Sequence, residues 1–208
     1  MHLKKLMILC GGRGTRLSQL TNDIPKPMVN IGDMPILWHI MKYYYSFGIK
    51  EFILCVGYKS EIIREFFINY QFNYFDSEFD LKNNELRMHS KKKNQIENWK
   101  IIFSNSGIDN QTGSRIYHAQ KHVKNENFYL TYGDGIGNID INKLTKKFMT
   151  TDKILTISGV RPPARFGELK IKNSLVTAFN EKPQTSSGLI SGGFFVCKPD
   201  IFQYLNSN

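Results

Sequence analysis

Four apolar residues run into a glycine turn near the amino terminus, and that junction restricts the chain more than any other stretch. Leu6, Met7, Ile8 and Leu9 form a short continuous apolar run, as in a strand buried on both faces of a parallel sheet. Gly11, Gly12 and Gly14 follow at once. Without Cβ atoms they permit a sharp turn and let a ligand approach main-chain N–H groups, so the loop can cradle phosphate; it can equally be a plain strand-to-helix connection. Arg16 lies just past the loop and Lys26 is held between Pro25 and Pro27, so two cations reach the same neighbourhood, only Lys26 on a stiffened backbone. That pair of cations favours phosphate. Spacing argues against two rival motifs. A Walker A loop ends Gly-Lys-Ser/Thr, whereas this one ends Gly14-Thr15-Arg16, and the dinucleotide fingerprint meets Leu17 where its third glycine should stand.

The rest of the chain alternates strand and helix signals. A helix is predicted over Met34 to Tyr45, with Asp33 as N-cap, Gly48 as the stop and an apolar stripe of Leu37, Ile40, Met41, Tyr44 and Tyr45. Glu51 to Val56 reads as a second buried strand and Glu61 to Phe67 as a helix. This βαβα rhythm argues for a doubly wound parallel sheet with its ligand site beyond the carboxyl ends of the strands, where the glycine loop already sits. From about residue 70 to 98 the periodicity fades into an excursion that holds a hairpin signal near Glu85 to Ser90. Strands resume at Trp99–Phe103, Phe128–Tyr132 and Lys153–Val160. A hairpin follows around Lys172-Asn173-Ser174, then a strand over Leu189–Val196 and a short helix over Pro199–Leu205. Asp140 is expected to cap a helix through Phe148.

Composition narrows the function classes. The 208 residues, 41% hydrophobic, suffice for one domain with a sizeable core. A net charge of +10 fits a nucleic-acid surface, an anionic substrate or a basic exterior. Lys91-Lys92-Lys93 is the only tight basic run and no nucleic-acid-binding module is visible, so no nucleic-acid partner is expected. Cys10, Cys55 and Cys197 lie in or beside apolar runs without C-x-x-C spacing, as reduced core residues of a cytoplasmic protein do. The apolar run after Lys4 and Lys5 stops at Gly11, too short for a signal h-region or a membrane span.

Several residues could carry chemistry. Asp134, between Gly133 and Gly135 at the carboxyl end of a strand, can reach into a cleft and hold a hard cation such as Mg²⁺, or be an ordinary turn aspartate. His118 and His122 have a metal-compatible i, i+4 spacing but no neighbouring acidic or thiol ligand, which suits a helix surface. Arg161 and Arg165 flank a proline-stiffened loop that suits an anionic or hydroxyl-rich ligand or a solvated rim. Glu181 can accept from hydroxyls and Lys182 can contact a phosphate, or the two form a surface ion pair. Gly192 and Gly193 would let a ligand's ring approach the backbone.

GGRGTR followed by PKPM resembles the nucleotide-binding signature of the sugar-phosphate nucleotidyltransferases. YGDG resembles that family's metal-binding segment, EKP its sugar-phosphate segment, and RPPARFGEL the members that act as cytidylyltransferases on glucose 1-phosphate. The resemblance implies a Rossmann-like three-layer α/β fold with a mostly parallel mixed sheet and a nucleotide site at the carboxyl ends of the strands. It implies nucleotide contacts from Leu9, Cys10, Gly11, Gly12, Arg13, Gly14 and Thr15, from Ser106, Thr112, Gly113 and Arg115, and from Gly133. Gly167, Glu181, Lys182, Ser191 and Gly192 would bind the sugar phosphate, and Asp134 the Mg²⁺ cofactor. Two residues depart from the pattern. Ser114 stands where relatives have the second glycine of T-G-G-R, at a cost of about 1 kcal/mol if that turn needs a positive φ, and Ser191 replaces a sugar-contacting asparagine.

The implied reaction is attack of a sugar 1-phosphate oxygen on the α-phosphorus of CTP, in line with departing pyrophosphate. Arg16, Lys26 and Asp134 would provide positioning and charge stabilisation, and the product would feed cell-surface polysaccharide synthesis. Such relatives are homo-oligomers, and they continue for several dozen residues with a second metal-binding aspartate, so the resemblance implies a chain short at its C-terminus. A nucleotide-sugar-binding module without turnover and a nucleic-acid binder are the readings from other classes.

Overall fold

The computed structural model describes residues 3–13, 23–89, 97–162, 168–180 and 188–207. The opening apolar run is strand β1 (Lys5–Leu9), and its side chains alternate between two cores. Leu6 and Ile8 belong to one core with Leu37, Met41 and Tyr44 of helix α1 (Ile36–Ser46), Ile63 of α2 (Ser60–Ile68) and Phe148 of α5 (Ile141–Met149). Met7 belongs to the other, with Ile116 and Ala119 of α4 (Thr112–Ala119) and the flanking Phe202. Strand β4 (Glu51–Val56) divides in the same way, Phe52, Leu54 and Val56 to the first core and Ile53 and Cys55 to the second. Two apolar faces on each strand therefore generate helix layers on both sides of one sheet, as a doubly wound fold requires.

That sheet has six strands in the order β7-β4-β1-β8-β12-β9. Strands β7 (Lys100–Asn105), β4, β1 and β8 (Phe128–Tyr132) run parallel, and β12 (Ile190–Cys197) is antiparallel to both β8 and β9 (Leu155–Val160). From β1 the chain moves outward through β4 to β7, then returns to place β8 on the other side of β1. The order reverses between β1 and β8, which opens a crevice at their carboxyl ends.

Small two-stranded sheets decorate this frame. In the excursion, after α3 (Tyr70–Tyr74), β5 (Ser77–Asp80) pairs antiparallel with β6 (Glu85–Met88), close to the predicted hairpin. Later, β10 (Glu168–Lys172) and β11 (Leu175–Asn180) pair through a turn in which Asn173 and Ser174 both have positive φ, 51° and 63°. Two positive φ values in a two-residue loop match the right-handed twist of the strands it joins. Asp140 caps α5 as expected, its Oδ1 accepting from the Lys143 N–H at 3.0 Å.

The start of α1 differs from the expectation. Asp33 caps nothing, because Met34 and Pro35 are β3 (Met34–Pro35), paired with β2 (Asn30–Ile31) through a turn at Gly32, where φ is +62°. Pro35 has extended angles and itself precedes the first helical residue, Ile36. The last segment, Pro199–Tyr204, is a 3₁₀ helix whose Phe202 stacks on Phe128 at 5.6 Å. Among the described residues, no helix is long and apolar enough to cross a membrane.

Candidate active site

A cavity of about 470 Å³ occupies the crevice between β1 and β8. One wall is the end of β1 and its loop, Leu9, Cys10, Gly11 and Gly12, and the opposite wall runs from Asn110 to Gly113 with Arg115. Lys26, Pro27, Tyr132 and Asp134 close it on the β8 side. Residues predicted from four separate stretches of sequence thus meet around one space.

Local chemistry explains how each is placed. The loop after β1 is pinned by two main-chain hydrogen bonds, Cys10 N–H to the Cys55 carbonyl at 3.0 Å and Tyr58 N–H to the Gly11 carbonyl at 3.1 Å. Gly133 donates to the Leu9 carbonyl at 3.0 Å, and a Cβ there would lie 2.8 Å from that oxygen and 3.1 Å from Cys10 Sγ. Only glycine lets β8 turn so tightly against the end of β1, and the turn carries Asp134 to the cavity. Lys26 opens a short 3₁₀ segment (Lys26–Met28) started by Pro25, with Met28 N–H bonded to the Pro25 carbonyl at 2.8 Å. Its Nζ comes within 3.6 Å of Asp134 Oδ2.

One ammonium and one carboxylate thus share the cavity rim. The ammonium suits phosphate, and the carboxylate suits a hard cation. Mg²⁺ is usually held by one or two carboxylates together with substrate phosphates and water rather than by an all-protein cage, so a single aspartate at this rim fits it. Among the described residues no group of three or more His, Cys, Asp or Glu side chains is arranged around a common metal position. Burial pushes the Cys10 thiol well above the ordinary range, and Cys55 and Asp134 add to that. Burial likewise lifts Cys55 and Cys197 to about 12, which keeps both as thiols at neutral pH. His118 lies exposed on α4, and His122 sits in the 3₁₀ turn after it (Gln120–His122).

The second predicted turn is not a turn. Thr112, Gly113, Ser114 and Arg115 form the first helical turn of α4, and Ser114 has no positive φ. It is buried, and its hydroxyl donates to the Ser207 carbonyl at 3.0 Å, so serine brings no backbone strain at this position. Arg115 is also buried. Its Nη1 donates to Ser106 Oγ at 3.0 Å and to the Gly107 carbonyl at 2.7 Å, while Nη2 donates to the Ile108 carbonyl at 2.9 Å. Burial lowers its pKa, opposed by Cys55 and Asp109. Ser106 does not line the cavity; its hydroxyl donates to the Val56 carbonyl at 3.1 Å while accepting from Arg115. Arg13 reaches across to Asp109, with Nη2 2.5 Å from Oδ1.

Ser191 and Gly192 lie on β12, outside the cavity wall, where the pairing with β9 shifts register. Ser191 Oγ accepts from the Gly193 N–H at 3.2 Å. Gly14, Thr15, Arg16, Gly167, Glu181 and Lys182 fall outside the described residues, as does Arg165. Asn110, Gln111, Pro27 and Tyr132 line the cavity without having been singled out. Tyr132 had a signal: it is the last residue of a buried strand directly before the aspartate turn, and it is 40% exposed whereas Phe128 to Thr131 are buried.

A Rossmann-like sheet whose switch point opens on glycine main chain, a lysine and an aspartate defines an α/β protein of the nucleotide-binding class. Within that class the chain belongs to the nucleotidyl transferase family, whose model matches residues 5–208. It is 44% identical over 201 residues to a probable glucose-1-phosphate cytidylyltransferase of Bacillus subtilis (strain 168), covering 97% of this chain and 77% of that one. Against the glucose-1-phosphate cytidylyltransferase of Salmonella typhimurium the identity is 41% over 205 residues, with 98% and 79% covered. Among solved structures, HddC from Yersinia pseudotuberculosis complexed with GMP-PN superposes with a TM-score of 0.65 at 29% identity, over 97% of this chain and 79% of that one.

Proposed function

We propose that the protein transfers a cytidylyl group from CTP to glucose 1-phosphate, giving CDP-glucose and pyrophosphate. One observation carries this reading: Lys26 and Asp134 meet 3.6 Å apart at a glycine-edged cavity, in a chain 44% and 41% identical to proteins named for that reaction. A phosphate oxygen of the sugar 1-phosphate forms the new bond to the α-phosphorus of CTP. The bond from that phosphorus to the bridging oxygen of pyrophosphate breaks, and its electron pair leaves with pyrophosphate. Positioned charge suffices and no protein nucleophile takes part.

Each residue then has a role. The amides of Gly11 and Gly12 would donate to the triphosphate, Lys26 and Arg16 would offset its charge, and Asp134 would hold Mg²⁺. When bound, that ion neutralises negative charge on the triphosphate. The remaining nucleotide contacts are assigned to Leu9, Cys10, Arg13, Gly14, Thr15, Thr112, Gly113 and Gly133. Gly167, Glu181, Lys182, Ser191 and Gly192 are assigned to the sugar phosphate. The same reading puts the reaction in the cytoplasm, with its product feeding cell-surface polysaccharide synthesis and the enzyme working as a homo-oligomer.

The test is a panel of four nucleoside triphosphates against several sugar 1-phosphates with Mg²⁺, followed by pyrophosphate release. CTP with glucose 1-phosphate should turn over fastest. Preference for GTP with a heptose phosphate, or no turnover with any pair, would overturn the assignment.

A further inference from the structure

The amino ends of the parallel strands enclose a second cavity, at the end of the sheet opposite the glycine loop. It has a volume of about 500 Å³. Strand β1 is five residues long and rises about 3.3 Å per residue, so its two ends, one at each cavity, lie about 15 Å apart. Lys4, Lys5, Lys100 and Lys124 bring four ammonium groups to this space, and Glu51 and Glu126 bring two carboxylates. Two of the ammoniums are already matched. Lys5 is buried, its Nζ donating to the Val123 carbonyl at 3.1 Å and standing 3.1 Å from Glu126 Oε1, and Lys100 Nζ lies 3.6 Å from Glu51 Oε2. Lys4 and Lys124 pair with no carboxylate among the described residues. Lys124 also stands where its backbone conformation is disfavoured. Lys124 and Asn125 have φ of 53° and 59° and form the centre of a turn closed by Glu126 N–H on the Val123 carbonyl at 3.0 Å. Such turns favour asparagine and glycine, so the lysine is explained by its side chain and not by the turn. Lys5 grips both ends of that turn, the Val123 carbonyl and the Glu126 carboxylate, and so fixes Lys124 at the cavity rim.

We propose that this amino-end cavity is a second ligand site, which takes the phosphate group of a small molecule between Lys4 and Lys124. A phosphate or phosphate monoester carries a charge of about −1.5 to −2 at neutral pH, which matches the two unmatched ammoniums and leaves the Lys5–Glu126 and Lys100–Glu51 pairs intact. A single carboxylate would match only one of them. Lysine suits phosphate as a point charge, with no need for the planar fork of arginine. The space exceeds what one phosphate fills, and beside the lysines it offers the Asn127 amide and the apolar side chains of Leu3 and Met149 to whatever the phosphate is attached to. Free phosphate and small phosphate esters share the group that is recognised.

The test is an amide-resolved NMR titration of the full chain with inorganic phosphate and, separately, with glucose 6-phosphate, at constant ionic strength. The backbone amides of Lys124, Asn125, Glu126 and Asn127 should shift saturably with at least one of the two. Lys4→Gln combined with Lys124→Asn should weaken that binding about tenfold or more. Asparagine tolerates the positive φ at position 124, so the thermal midpoint of this variant should not fall, and weaker binding then reports the lost charges. Lys26→Ala separates the two cavities: it should leave the response at 124–127 unchanged, whatever it does to the amides of Gly11 and Gly12. Tighter binding of glucose 6-phosphate than of phosphate identifies an ester as the ligand, and equal or weaker binding identifies free phosphate; either supports the site. No saturable shift at 124–127 with either probe overturns the proposal, as does an equal response to acetate or full affinity in the Lys4→Gln, Lys124→Asn variant. Loss of the response in Lys26→Ala overturns it too, because the shifts would then be relayed from the cavity at the other end of β1.

Discussion

The two halves of the central sheet are built differently. Around β1 and β4 the strands are parallel and sealed on both faces: Leu6, Met7, Ile8 and Phe52 through Val56 are completely buried. Beyond β12 the chain is open. Leu155 and Ile157 of β9 are 38% and 48% exposed, and the β10–β11 hairpin leaves Leu169, Ile171, Leu175, Val176 and Phe179 more than half exposed. The buried half supports the cavity that gathers Lys26, Asp134 and the glycine loop. The open half carries Ser191 and Gly192, which the proposed function assigns to the sugar phosphate. A site for a polyphosphate gains from preformed, immobile donors, and a double-sided core supplies them. On that assignment, the contrast teaches that the two ends of one site can draw their order from different sources, one from the sheet's own packing and one from whatever covers its exposed apolar side chains.

Substitutions can break or sharpen that contrast. Phe52→Ala, in the sealed half, should lower the unfolding free energy by about 3–5 kcal/mol in a urea titration; a loss under about 1 kcal/mol would mean that this half is not the stable platform. Lys26→Ala should cut turnover by about 10²-fold or more with an unchanged thermal midpoint, and full activity would remove Lys26 from the phosphate site. For Asp134→Asn the expected loss is of similar or slightly smaller size, about 10²-fold, together with loss of the Mg²⁺ dependence. A normal magnesium titration of that variant would count against the metal role. At the small end, Ile171→Thr in the exposed hairpin should move stability by no more than about 0.5 kcal/mol. A loss above about 2 kcal/mol would show that the hairpin is covered in solution, and light scattering on the same samples would tell whether a second copy does the covering.

Much of the sealed half was legible in the residues. A four-residue apolar run entering a glycine turn could be little else than a central parallel strand, and the 3.6-residue stripe of Leu37, Ile40, Met41 and Tyr44 marked α1. Its first residues misled because Gly32-Asp33 carries two signals. Aspartate before an apolar stripe looks like a cap, yet glycine with positive φ followed by aspartate also turns a hairpin, and here the β2–β3 pairing won. Against relatives, Ser114 reads as a turn residue that is strained only if the turn needs a positive φ. A helix was available instead, since Thr112 to Ala119 includes no proline and its apolar residues Ile116 and Ala119 reach the second core. For the site, Lys26 and Asp134 could be proposed from charge and turn chemistry. Asn110 and Gln111 could not, because lining a cavity depends on how distant loops converge and not on any local pattern. The orientation of Arg115 was equally hidden, since its partners, Ser106 Oγ and the Gly107 and Ile108 carbonyls, leave no pairing signal in the sequence.

The position of β12 has a consequence for how the chain is made. Among the described residues, β9 pairs within the six-stranded sheet with β12 alone, which stands between it and β8. During synthesis, residues 155–160 therefore leave the ribosome about thirty positions before β12, while β7, β4, β1 and β8 can already assemble. The latest of these six strands fills an interior slot, so a product arrested before it would expose the flank of β8 as an unpaired edge.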